Sequence, residues 1–421
     1  ESFKVNVYKK EIDSYSVNVT KGLGFRGIYN GRMGYAYTEI LDEEAINMLV
    51  KNAKTNATII ENDDVEVIYP GDSKYLDINC YNETLPSVDE NDKINLALKM
   101  EEMALGKDKR VKDIRFCVVQ SFEGNINIVN SKGLDLSHRA NGVFAVLIPV
   151  IQDGDKTNTS VVYRASRDFK DIVASDLADE AVNKALAYIG AEMPETGKYK
   201  VILNNEAASD LLETYSIIFS ADRVQKGMSL LKDKNGKIIA SKALTIIDDP
   251  LLENGMTSTP FDGEGVACYT KDIVKEGQLI TLLYNLKTAL KDGVKTTGNA
   301  SRPSYSSTVD ISPSNFYIKP GEHSLEGLQE KMGNGLLITE LQGLHSGANT
   351  ISGDFSLAAK GFEIKNGKII RPVEQITVAG NFYRVLEDIE EAGSDLKFGL
   401  PSGGGCFGSP SLLIRELSVA S

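Results

Sequence analysis

Three histidines, His138, His323 and His345, are the only imidazoles in the chain, and no two lie within one helix's reach. A His-based metal motif is therefore absent from the sequence. The remaining chemistry-bearing residues are a thiol and several carboxylates. Cys406 sits in Pro401-Ser402-Gly403-Gly404-Gly405-Cys406-Phe407-Gly408. Such a turn can present a nucleophile beside backbone amides that would bind an oxyanion. The plainer reading is a loop whose glycines let two strands pack closely around a buried thiol. His345, in Gly343-Leu344-His345-Ser346-Gly347, could serve as a base for Cys406 in a thiol hydrolase, although an isolated loop histidine ordinarily hydrogen-bonds backbone. His323 reads as a surface turn residue and His138 as the end of a strand. Glu206 and Glu213, seven apart, share one helix face, and a solvated face is the ordinary explanation. Asp248-Asp249-Pro250 reads as a turn. Asp262, Glu264 and Asp354, each near glycine, are the better carboxylate cluster, but no metal is assigned there.

The elements that must position these groups follow from periodicity. Phe3, Val5 and Val7 share one strand face, and Tyr15, Val17 and Val19 share the next. Asn30-Gly31 predicts a tight hairpin. Asp42 predicts a helix cap, with Ile46, Leu49, Val50 and Ala53 forming its apolar stripe. Residues 61–90 lose periodicity and read as a connector. A short helix (Ile94, Ala97, Leu98, Met103) precedes strands at Ile114–Gln120, Asn125–Asn130, Gly142–Gln152 and Thr159–Ala165. A long helix then carries Ala174, Leu177, Ala178, Ala181, Ala185, Leu186 and Ile189 on one face, and Gly190–Gly197 marks a boundary. In the second half, Asn235-Gly236 and Asn366-Gly367 predict hairpins. Helices are expected after Asn204-Asn205 (Leu211, Leu212, Tyr215, Ile218, Phe219), over Ser324–Gly333 and over Asn381–Ala392.

Composition limits the function. The chain has 421 residues, 42% hydrophobic and 25% charged, with a formal net charge of −13. That length predicts about two or three domains. The acidic balance argues against direct nucleic-acid binding, which needs a basic face. The longest apolar run, Gly142–Ile151, is far short of the roughly 18 residues of a membrane span. Cys80, Cys117, Cys268 and Cys406 form no CxxC, which fits reduced thiols in a cytoplasmic protein. No phosphate-loop or dinucleotide fingerprint occurs. The chain starts at Glu1, so preceding residues are left open.

The blocks STPFDGEGVACYTKDIVKEGQL, TTGNASRPSY, NFYIKPGE, GLLITELQGLHSGANTISGDFSLAAKGFEIKNGKIIRPVEQITVAGN and GGGCFGSPSLLIRELSVA, with the N-terminal GLGFRGIYNGRMGYAYTEI, resemble the TldD/PmbA family, also called modulators of DNA gyrase. In its TldD branch, the two histidines of a helical HExxxH and a distant C-terminal cysteine hold zinc, and the glutamate acts as base. The resemblance places that motif over Glu213-Thr214-Tyr215-Ser216-Ile217-Ile218. Glu213 and Ile218 then stand at the histidine positions, Thr214 at the base position and Cys406 at the cysteine position. The sequence resembles instead the PmbA (TldE) branch, which lacks HExxxH and is the partner of TldD.

The expected fold is α+β: an N-terminal mixed α/β half, then a β-rich, barrel-like antiparallel C-terminal domain. The expected divisions are 1–60 (hairpin plus helix), 61–90 (connector), 91–192 (central α+β) and 197–421. The resemblance implies a non-catalytic subunit of a cytoplasmic metalloprotease complex that degrades unfolded peptides. Zinc is then expected only in a TldD-type partner, and no cofactor in this chain. The partner is a TldD-type subunit or a second copy. The alternatives are a stand-alone homodimeric peptide- or ligand-binding protein, and a hydrolase using Cys406.

Overall fold

The structure is a computed structural model that describes residues 1–61, 64–403 and 405–421. The chain opens with β1 (Ser2–Tyr8) and β2 (Glu11–Asn18), an antiparallel hairpin whose β1 buries Phe3, Val5 and Val7. β3 (Leu23–Tyr29) and β4 (Arg32–Thr38) form a separate two-stranded sheet, turned by Asn30 and Gly31 at φ +51° and +79°. Helix α1 (Glu43–Ile59) starts where predicted, with Asp42 accepting from the Ala45 amide at 2.8 Å. Its buried stripe, however, is Ala45, Leu49, Ala53 and Ala57, while Ile46 and Val50 are exposed. The hairpin sets that rotation. A Cβ on Gly34 would lie 1.8 Å from the Ala53 carbonyl, so the helix backbone rests on the glycine and only alanines fit beside it.

The central region contains α2 (Glu90–Lys107), β5 (Val111–Val129), β6 (Asp135–Asp153), β7 (Lys156–Thr159), β8 (Val162–Ser166) and α3 (Ala174–Leu186). Its sheet runs β2-β1-β5-β6-β7, with β8 also on β6. Residues 1–60, read from sequence as one region, thus divide between two sheets. The two strands predicted at 114–120 and 125–130 are one 19-residue strand, because β6 pairs with β5 without interruption from Phe116 to Val129. Met100 of α2 and Leu177, Ala178 and Ala181 of α3 seal one face of this sheet.

In the C-terminal region, β9 (Gly197–Leu203) leads into α4 (Asn205–Tyr215) and α5 (Ala221–Gln225). There follow β10 (Ile246–Asp248), β11 (Lys271–Lys275), β12 (Gln278–Leu279), α6 (Leu286–Asp292), β13 (Ala300–Ser301), β14 (Asp310–Ile311) and β15 (Asn315–Ile318). After α7 (Leu325–Met332) come β16 (Gly335–Gln342), α8 (Leu344–Gly347), β17 (Asp354–Lys365), β18 (Lys368–Asn381) and α9 (Phe382–Asp388). The chain ends with β19 (Ile389–Ala392), β20 (Lys397–Phe398), β21 (Cys406–Ser409) and β22 (Leu412–Ala420).

Strands β18-β17-β16-β9-β22 close into a five-strand barrel through the β18–β22 pair Thr377↔Ala420 to Ala379↔Ser418. A second sheet runs β12-β11-β10-β15-β21-β20. The α+β, barrel-bearing fold is as expected, with one difference: β9–β16 and β15–β21 are parallel. The hairpin predicted at Asn235-Gly236 has no flanking strands. Gly236 instead donates to Leu279, and Lys237 accepts from Leu279, so a distant strand takes the hydrogen bonds a local hairpin would use. The third expected helix stops at Asp388, and Ile389–Ala392 is strand.

Candidate functional site

Helix α4 packs between β16 of the barrel and β21 of the second sheet. Asn204 caps it, its side chain accepting from the Ala207 amide at 2.9 Å. Leu211, Leu212 and Tyr215 point into the core as predicted. The helix ends at Tyr215, and Ser216–Phe219 continue as a 3₁₀ turn that buries Ile218 completely. The opposite face of α4 presents Glu206, Asp210 and Glu213, spaced four and three residues apart.

These carboxylates have different surroundings. Glu206 is clamped between Lys184 of α3 and Lys397 of β20. Burial works against its charge, but the two ammonium groups outweigh it and hold the carboxyl below its ordinary range. The solvated-face reading of Glu206 is thereby corrected: the residue ties the central region to the C-terminal one. Asp210 has an open tip, and among the described residues no ammonium bonds its carboxylate. Desolvation by the surrounding protein, then Glu213 and Glu206, push it up to about 7. Glu213 accepts a hydrogen bond from the Ser402 hydroxyl. The Thr214 hydroxyl donates to the Asp210 carbonyl at 2.8 Å, so it is bound within its own helix.

Cys406 opens β21 and is buried, its Sγ donating to the Gly399 carbonyl at 3.4 Å. Burial, and after it Glu213, push this thiol up to about 12. That is opposite to what an attacking thiolate needs. His345 lies exposed in α8, and the thiol's hydrogen bond goes to Gly399 rather than to its ring. The fold thus brings Glu213 beside Cys406 and Ser402 and leaves His345 without a bond to the thiol. Gly404, part of the glycine run, lies outside the described residues.

The second carboxylate group divides as well. Asp262 accepts from the amides of Glu264, Val266 and Ala300, at 2.9, 3.0 and 3.0 Å, organising its own loop. Burial and Glu264 push its carboxyl up to about 7. Glu264 pairs with Arg26 of β3 at 3.1 Å and accepts from the Leu286 amide at 2.9 Å. Asp354 stands apart on β17, bonded to Asn381 and Ser352 at 2.8 Å each. Asp248, expected in a turn, is fully buried in β10 and accepts from Lys271, Asn299 and Ser314. His138 lies within β6 rather than at its end, its ring edge-on to Phe261. His323 is at the surface and pairs with Glu391.

Sequence reasoning missed Asp210, Lys184, Lys397 and Tyr163. Asp210 was accessible from its spacing, since it completes a carboxylate row with Glu206 and Glu213. Tyr163 packs against Lys397, and burial followed by Glu206 raises its phenol. Nothing local to Lys184, Lys397 or Tyr163 announces a meeting with α4.

Three family descriptions cover nearly the whole chain: PmbA/TldA metallopeptidase domain 1 over residues 1–57, its central domain over 83–188 and its C-terminal domain over 196–421. The chain belongs to the PmbA/TldD metallopeptidase family. Among PmbA/TldD relatives, an uncharacterized protein of Methanocaldococcus jannaschii is 32% identical over 404 residues, covering 92% of this chain and 90% of the relative. The protein named metalloprotease PmbA of Escherichia coli O157:H7 is 28% identical over 393 residues, covering 92% and 84%. A crystal structure titled a putative modulator of a DNA gyrase, from Thermotoga maritima MSB8, superposes with TM-score 0.92 at 32% identity, covering 100% of this chain and 94% of that one. TldE from Thermococcus kodakarensis shares the fold, with TM-score 0.88 at 23% identity, covering 100% and 94%.

The zinc chemistry of the family's TldD branch requires imidazole and thiolate donors in tetrahedral array. The positions that the sequence resemblance assigns to those donors, Glu213, Ile218 and Cys406, supply a carboxylate engaged by Ser402, a buried isoleucine and a thiol with a raised pKa. These residues do not fit a zinc site. Among the described residues, no group of three or more His, Cys, Asp or Glu is arranged to hold a metal ion.

Proposed function

We propose that this chain is the PmbA/TldE-like, non-catalytic subunit of a cytoplasmic TldD/TldE-type metalloprotease complex that degrades unfolded peptides. One observation carries the reading: where the zinc-binding branch needs two imidazoles, α4 and its 3₁₀ extension carry Glu213 and Ile218, the latter wholly inside the core. A subunit of this kind contributes scaffold and chamber wall, while the partner contributes the metal, its activated water and the base. The relatives named metalloprotease PmbA support a place in proteolysis. The second sheet, which ends in edge strands β12 and β20, supports a role in holding extended chains, whose main chain can add to strand edges irrespective of side chains.

The test is reconstitution. The purified chain is expected to leave an unfolded casein-type substrate intact, and cleavage is expected only after a TldD-type subunit bearing HExxxH is added. Cleavage by the chain alone, resistant to chelators, would overturn the proposal. Loss of that cleavage on Cys406→Ala would assign it to the thiol. The second reading, a stand-alone homodimeric peptide-binding protein, is favoured by the outer edge of β5 along residues 124–129, which no strand among the described residues pairs.

A further inference from the structure

The sequence holds six Asn-Gly pairs. In such a pair the glycine nitrogen can attack the asparagine side chain, because no Cβ stands in the way. The attack needs a glycine N–H free to lose its proton and a turn free to bend. Five of the pairs are held. Gly236 donates to the Leu279 carbonyl and Gly367 to the Gly333 carbonyl, at 2.7 Å each, and Gly255 donates to Leu252 at 3.0 Å. Asn141 is buried, its side-chain amide exchanging two bonds with the main chain of Asn82. Asn334 accepts from the Asn366 amide at 2.9 Å, and Gly335 lies within β16. Asn30-Gly31 differs. Both residues are exposed at the tip of the β3–β4 hairpin, and the Gly31 N–H has no acceptor among the described residues. Nothing stands within 4 Å of where a Gly31 Cβ would be.

We propose that Asn30 is a site of spontaneous covalent modification, converting in the folded chain to isoaspartate and aspartate while the other Asn-Gly pairs persist. The Gly31 nitrogen, on losing its proton, bonds to Cγ of Asn30. The Cγ–Nδ2 bond breaks, and Nδ2 takes up a proton and leaves as ammonia. Water then opens the cyclic succinimide at either carbonyl. Opening at the main-chain carbonyl leaves Gly31 joined through Cγ, which is isoaspartate, and opening at Cγ gives aspartate. Lys54, whose ammonium lies 4.4 Å from the Tyr29 ring centroid, sets a cation beside the turn that favours both the anionic amide and the new carboxylate. Isoaspartate inserts a main-chain carbon where Asn30 stands at φ +51°, so the turn between Tyr29 and Arg32 no longer matches the twist of its strands. Among the described residues β3 and β4 have no third strand, and the core they share with α1 is small: Ala36, Leu49 and Ala53. Damage at the tip therefore loosens this unit, while the central sheet and the barrel keep their own cores. Isoaspartate is also the group that an isoaspartyl carboxyl methyltransferase recognises, so the aged chain gains a substrate role that the fresh one lacks. The inference rests on main-chain chemistry and stands or falls separately from the metal-free reading.

Ageing the full chain at mildly alkaline pH tests it. Peptide mapping by mass spectrometry is expected to show amide-to-acid conversion at Asn30 at least about five-fold faster than at any other Asn-Gly, the weight of one hydrogen bond on the competing nitrogens. In urea the rates should converge, since the fold is what separates them. An isoaspartyl methyltransferase with a labelled methyl donor should mark the aged chain at residue 30. Asn30→Gly keeps a turn that accepts positive φ and should abolish the label. The acidic fraction of aged chain, separated by ion exchange, should exchange amide hydrogens faster over residues 23–59 and at the original rate in β5, β6 and the barrel. Conversion at Asn235 or Asn366 as fast as at Asn30 in the folded chain would overturn the proposal. So would a lead for Asn30 that persists undiminished in urea, a methyl label at another residue, or unaltered exchange over residues 23–59.

Discussion

Two carboxylate environments in the C-terminal region contrast sharply. Asp248 is fully buried and accepts four hydrogen bonds, from Lys271 at 2.8 Å and from Asn299 and the Ser314 amide and hydroxyl at 2.7 Å each. Burial opposes its charge, yet Lys271 and these donors hold the carboxyl below its ordinary range. On α4, three carboxylates crowd one face, two lysines bond Glu206 alone of the three, and Asp210 is pushed up to about 7. Asp248 has its compensation built in and joins β10 to β11 and β15. The α4 face is under-compensated: like charges crowd it and fewer donors reach each oxygen. Position along the chain says little about this; what differs is how many donors the fold delivers to each oxygen.

The largest effect that would sharpen the contrast is Asp248→Ala. It strands Lys271 without a counter-charge, and a loss of about 3–5 kcal/mol is expected in urea denaturation. Replacing both partners by apolar residues should recover most of it. Next comes Glu206→Gln, expected to cost about 1–2 kcal/mol because two partly exposed lysines lose their counter-charge and one of its two acceptor oxygens. Since the folded state holds Glu206 below its ordinary pKa, that contribution is present above the unfolded value near 4.3 and vanishes as pH falls through the folded one. The stability difference should therefore be flat from neutral pH to about 5 and close in acid.

Asp210→Asn should act with the opposite sign. A carboxyl raised to about 7 in the fold penalises the charged form, so the variant is expected to be more stable above pH 7 and equal below the unfolded value. The gain is at most about 1 kcal/mol, because the open tip remains hydrated. Smallest in energy is Glu213→Gln. Removing that charge, while keeping an oxygen that accepts from Ser402, should lower the Cys406 pKa and quicken alkylation at pH 8 several-fold, with little change in stability. An unaltered alkylation rate would show that burial alone controls the thiol.

Much of this architecture was legible because local chemistry and tertiary structure agree. Asn30-Gly31 and Asn366-Gly367 both adopt positive φ and turn hairpins, and Asp42, Asn204 and Ser324 cap the helices they precede. The failures share one physical cause, a distant partner overriding a local preference. Asn235-Gly236 lost its hairpin to residues 277–279, and α1 rotated to set alanines against Gly34. The site divides in the same way. Glu213, Ile218 and Cys406 were placed by resemblance, and the fold brings Glu213 to the thiol. Lys184 and Lys397 reach Glu206 from α3 and β20, a meeting that only the tertiary fold creates.

Zinc content tests the central claim most directly. The chain, incubated with excess zinc and then desalted, is expected to retain far less than one equivalent by elemental analysis, and native mass spectrometry should give the mass of the bare polypeptide. One tightly held zinc per chain, released by Cys406→Ser or Glu213→Gln, would contradict the account.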